Sequence, residues 1–194
     1  MKKLFFVLAV YGSALVFQSC GNSNQNATKT SDTSMIATDS TFTADNTMPL
    51  PADSDTSFAN KAAVGGIAEV TFGKLAEAKA SSAAVKDFAA MMIKDHGKAN
   101  EELKTIAATK NITLPAGLDP EHAKKQQELE AKSGAEFESA YVKAMVEGHE
   151  KTLALMEDGS QNCKDADLKG FATKTAPVVK HHLNMIKKIQ EGLK

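Results

Sequence analysis

The chain has 194 residues, with 23 basic against 24 acidic and a net charge of −1. Every basic residue is lysine, 30 residues are alanine, 8 are methionine and none is tryptophan, a palette that suits close-packed helices better than sheets. The charge balance excludes the basic footprint of a nucleic-acid binder, and Cys20 and Cys163 are too few for a disulfide framework, a zinc cluster or an iron–sulfur centre.

The first element is a leader. Lys2 and Lys3 precede an apolar run from Leu4 to Phe17, the length of a signal h-region and short for a membrane span. Small Ser19 then precedes Cys20, which resembles the lipobox of bacterial lipoproteins. The resemblance implies cleavage after residue 19 and lipidation of Cys20. Gly21 rather than Asp at the next position implies, by the same resemblance, sorting to the outer membrane. An ordinary secretory leader is the competing reading. Residues 20–57 are rich in Ser, Thr, Asn and Asp with no apolar period, so they read as a flexible tether.

Residues 58–194 carry helical spacing throughout. Phe58, Ala62, Gly65, Glu69, Phe72 and Ala76 share one face. A second stripe is Val85, Ala89, Met92, His96, Ala99, Leu103 and Ile106. Ser81-Ser82 separates the two and offers an N-cap. Asn111, Pro115, Gly117 and Pro120 end the second helix, and a short helix is expected over 121–132. Ser133-Gly134-Ala135-Glu136 has the form of a capping box and opens a third stripe, Glu138, Tyr141, Met145, His149, Thr152 and Met156, ending at 158–162. Asp165 or Asp167 caps a last stripe, Phe171, Thr175, Val178, His182, Met185, Ile189 and Leu193, which Pro177 should kink or split. These readings give an all-α, antiparallel four-helix bundle with short connections and one short extra helix.

Glu69, His96, His149 and His182 each sit on the apolar line of a different helix. Glu69 and His96 lie about thirteen residues either side of the Ser82 turn, hence at one level at roughly 1.5 Å per residue. His96 and His149 also agree in height, whereas His149 and His182 differ by around six residues, roughly 9 Å. Asp95 and His96 straddle the centre of their stripe, so either could point inward. Three imidazoles and a carboxylate suit one transition-metal ion such as Zn, Fe or Cu. A hydrogen-bonded Glu–His network that fixes packing is the other reading. Met92, Met145 and Met185 face inward too and read chiefly as core.

The segments Ala68-Glu69-Val70, Gly73-Lys74-Leu75-Ala76, Phe88-Ala89, Met91-Met92, Asp95-His96, Leu114-Pro115, Ser133 to Phe137, Tyr141-Val142 with His149, and Pro177 with His182-Leu183 together resemble a bacterial family. It is the domain-of-unknown-function family labelled "predicted outer membrane protein". The resemblance implies a ferritin-like four-helix bundle in which Glu69, His96, His149 and His182 are the characteristic positions. The Glu-x-x-His pattern of di-iron carboxylate proteins is missing, because Ile93 precedes His96 and Val179 precedes His182 by three residues.

The sequence thus leads to a lipid-anchored envelope protein, held to the membrane by its N-terminus, that binds one metal ion for storage, redox or stress protection. The alternative is a non-enzymatic envelope binding or structural module. Whether the protein is an enzyme is left open.

Overall fold

Five helices account for the computed structural model, which describes residues 54–193, and among these residues there is no strand. They are α1 (Ser54–Lys79), α2 (Ala83–Thr109), α3 (Pro120–Glu130), α4 (Gly134–Asn162) and α5 (Ala166–Gly192). The leader, Cys20 and all but the last residues of the 20–57 tether lie outside the described residues.

The helix ends follow local chemistry, with two corrections to the expected caps. Asp119 receives the His122 N–H at 2.8 Å, and Pro120 takes the first helical position, where its missing donor costs nothing. Asp165 receives the N–H groups of Asp167 and Leu168. Asn111, at φ 56°, takes the left-handed position just past α2. Ser82 and Ser133 occupy N-cap positions, but neither side chain bonds to its helix. Glu138 caps α2 instead, accepting the N–H groups of Ser81 and Ser82 at 2.6 and 2.7 Å. At Ser133 the capping box does not close, because Glu136 pairs with Lys132 and Gly134 enters the helix at φ +54°.

α1 begins at Ser54, four residues earlier than the tether boundary at 57 predicts. The reason is Asp55, whose carboxylate accepts the N–H groups of Lys164 and Asp165 at 2.9 and 2.7 Å. A residue that is polar by sequence is thereby built into the far end of the fold. α4 ends at Asn162, the last residue of the 158–162 stretch expected to stop it, and so runs through Gly159. Gly159 is required there by a close approach: a Cβ would stand 2.4 Å from the Phe58 ring. α5 runs unbroken through Pro177.

α1 packs along α2 and α4 along α5, while α1 also meets α4 and α2 meets α5. Glu138, near the start of α4, caps the start of α2, so these two helices set off from the same end. Asp55, at the start of α1, clips the α4–α5 turn at the opposite end. The α2–α4 connection is therefore a return along the molecule, made by 110–133 with α3 resting on α1 and α4, and not a short turn.

The stripes are buried largely as the period requires, including Phe72, Val85, Met92, Leu103, Tyr141 and Met145, and Phe88 and Phe137, which lie beside the stripes, are buried with them. The last stripe is rotated: Val178 is 41 % exposed and Val179 is buried, with Leu183 and Ile186 completing the inner face. Two apolar groups form the core, one around Phe88, Phe137 and Tyr141, the other around Phe58, Leu103 and Phe171.

Candidate metal centre

Near the middle of α1, α2, α4 and α5, the four polar stripe residues are all buried. Glu69 is 3 % exposed, His96 5 %, His149 0 % and His182 1 %. His182 reaches the depth of the others because α4 continues to the far edge of the 158–162 stretch that ends it. His149 stands thirteen residues from the end of α4 and His182 sixteen from the start of α5, a mismatch of only about 5 Å.

One nitrogen from each of His96, His149 and His182 lies within 4.8 Å of the other two. The ring centroids are 5.3 to 5.8 Å apart. Each ring is held from its outer side by an oxygen that can only accept. His149 Nδ1–H donates to the Met145 carbonyl at 2.8 Å. His182 Nε2–H donates to Asp95 Oδ2 at 3.1 Å. His96 Nδ1 faces Glu69 Oε2 at 2.7 Å, an ion-pair contact off the straight line of a hydrogen bond. An acceptor on one ring nitrogen fixes the proton there and turns a lone pair onto the other.

The nitrogens left without such an oxygen are His96 Nε2, His149 Nε2 and His182 Nδ1. His182 Nδ1 and His96 Nε2 are 3.3 Å apart, and one of them must carry a proton for that contact to be favourable. His149 Nε2 is buried with no partner at all. A buried imidazole nitrogen without a partner costs on the order of 1–3 kcal/mol. The proton between His96 and His182 satisfies two of the three nitrogens and leaves the third unmet.

The electrostatics agree. Burial would push the Glu69 carboxyl up, but the facing His96 and His149 rings and the Thr152 hydroxyl reverse this and hold it down at about 2. Thr152 Oγ1–H donates to Glu69 Oε1 at 3.2 Å. Burial opposes charge on His96, yet the Glu69 carboxylate, with Asp95, raises it above the ordinary histidine value. Burial lowers His149, with the Glu69 charge opposing. Burial and the neighbouring His96 take His182 down to about 4 against the pull of Asp95. One cation is favoured in this cluster, and two of its three rings stay neutral.

Of the four residues singled out by sequence, three converge by their nitrogens and the fourth, Glu69, lies behind two of them. Its Oε1 is 3.7 Å from His149 Nδ1. Asp95, which sequence left undecided against His96, reaches His182 from α2 while its side chain stays 34 % exposed. Phe88, whose role was not legible, packs its ring 5.9 Å from that of His149 and 6.5 Å from that of His182. Its position one turn from Met92 on the α2 stripe was the available signal. His122 sits apart on α3, paired with Asp119, and His181 is exposed.

His96, His149 and His182 could hold a metal ion. The chemistry of the set fits: neutral imidazoles suit Zn, Cu, Fe or Ni. Tetrahedral coordination at about 2.0–2.1 Å places nitrogens about 3.3 Å apart, the separation His182 and His96 already have.

The model of one family, Domain of unknown function (DUF4142), matches residues 40–189. The chain belongs to the DUF4142 family. No curated protein and no solved structure matches it. In this DUF4142 chain the match spans all four helices that carry the cluster.

Proposed function

We propose that the described helices form a ferritin-like four-helix bundle that binds one divalent transition-metal ion through His96, His149 and His182, with Glu69 and Asp95 orienting His96 and His182. One observation carries this reading: His149 Nε2 is buried with no hydrogen-bond partner in a cluster where one nitrogen of each of His96, His149 and His182 lies within 4.8 Å of the other two. An ion shared by three lone pairs satisfies all of them. The two carboxylates opposite the rings supply two negative charges against an ion of charge two. Three histidines leave a coordination position open, which suits storage or redox handling of the ion as well as catalysis. With the leader and Cys20 read as a lipoprotein signal, the domain belongs in the cell envelope, tethered by its N-terminus to the outer membrane.

The test is metal analysis of the purified chain after chelation and reloading with Zn²⁺, Fe²⁺, Co²⁺ or Cu²⁺. About one equivalent is expected, as for a single site. Uptake below about a tenth of an equivalent for every ion would end the proposal. Glu69→Gln and Asp95→Asn should each keep the site and weaken it about 10–100-fold, the usual effect of removing an orienting carboxylate.

The second reading is a purely structural hydrogen-bond network within an envelope binding module. The His96–His182 contact at 3.3 Å and the His96–Glu69 pair favour it. It predicts that His96→Ala destabilises the chain equally with and without metal.

A further inference from the structure

A cleft of about 670 Å³ opens between α1, α3 and α4, and none of the three cluster rings lines it. Its lining does include Glu69 and Met145. We propose that this cleft is the port through which a divalent transition-metal ion reaches the histidines, with Glu69 and Met145 forming the wall it crosses. The proposal rests on the metal-binding reading above.

Both wall residues touch the cluster from the cleft side. Glu69 Oε2 stands 2.7 Å from His96 Nδ1 and Oε1 stands 3.7 Å from His149 Nδ1. The Met145 carbonyl holds His149 Nδ1. The Glu69 carboxylate is also a serviceable donor for a divalent ion that is shedding water, so the wall offers a transient ligand there.

The charges around the mouth support passage of a cation. The lining carries Lys61, Lys125 and Lys151 against Glu69, Asp119, Glu121 and Glu147, with Lys151 paired to Glu121 at 3.2 Å and Lys125 to Glu128 at 2.7 Å, so acids outnumber lysines by one. Glu69 remains as an anion on the inner wall. On another side of the cluster the Phe88 ring covers His149 and His182 and is itself 1 % exposed. The competing way in is the α2–α5 surface beside Asp95, which touches His182 directly.

Gly148 lines the cleft, and a Cβ there meets nothing within 4 Å, so a larger side chain can fill the passage without displacing a neighbour. Gly170 on α5 is equally open but is not part of the cleft lining, which makes it the matched control. The experiment is stopped-flow loading and chelator-driven release of Co²⁺, followed by its visible absorption, on the full chain. Gly148→Leu should slow both rates by about tenfold and leave Kd unchanged, because plugging a passage alters the barrier and neither end state. Gly170→Leu should load like the parent. Ala144→Leu, one turn away in the same lining, should reproduce the slowing and serves if Gly148→Leu folds poorly. Parent-like loading in a folded cleft variant overturns the port and leaves the site standing. Absence of Co²⁺ binding by the parent at equilibrium overturns the site and the port together.

Discussion

Asp55 and Glu138 at opposite ends of the helices, and Glu69 in the middle, are buried carboxylates in contrasting company. The end residues each accept two backbone N–H groups from another helix's turn. Such amide donors are fixed and carry no proton that can leave, and the Cys163 thiol beside Asp55 is pushed up to about 11, so the end carboxylates lock the α1–α2 and α4–α5 turns in place. Glu69 faces rings that exchange protons, and behind those rings an imidazole nitrogen goes unmet. A buried acid that holds two amides of a turn is a clasp; one set against imidazole rings is part of a site.

The strongest way to break that contrast is at the centre. His149→Ala should abolish stoichiometric metal binding, measured by metal analysis after reloading, while far-ultraviolet circular dichroism stays helical. Retention of a full equivalent would show that the unpartnered nitrogen is not a ligand.

At the ends, Glu138→Ala strips two charge-assisted bonds from the α2 N-terminus and should cost about 4 kcal/mol in urea unfolding. The loss should be the same with metal present or removed. A loss that grows with metal would couple the clasp to the site and blur the distinction.

The smallest effect is the pH dependence of the metal-free chain. His182 is held neutral at about 4, so its contribution is whole above its ordinary 6.5 and drains as pH falls toward 4. His149 is lowered too and drains in the same direction. His96 is raised, so its contribution is already complete below 6.5 and is lost only as pH rises through its folded value. Glu69 begins to lose its share only below its ordinary 4.5, on the way to about 2. Between pH 6.5 and 4 the chain should therefore lose stability, on the order of 3 kcal/mol, and His182→Ala should flatten the slope. A flat profile in the parent would show that the rings are solvated and the cluster open.

The amino-acid order by itself determined the five helices and put Glu69, His96, His149 and His182 on inward faces, because the 3.6-residue period is a local property that each segment carries alone. It also carried the Pro120 and Asp165 starts, which depend on neighbours a few residues away. Tertiary structure alone decided the rest. Glu138 rather than Ser82 caps α2, and Asp55 draws the chain into α1 before Phe58, each through partners more than fifty residues distant. Phe58 seated against Gly159 accompanies the choice of Asn162, the far edge of the 158–162 stretch, as the end of α4, which brings His182 nearer the level of His149. Which nitrogen of each ring turns inward depends on an oxygen placed behind it: one turn away for His149, but on another helix for His96 and His182. A period along one helix holds no record of what the next helix presents.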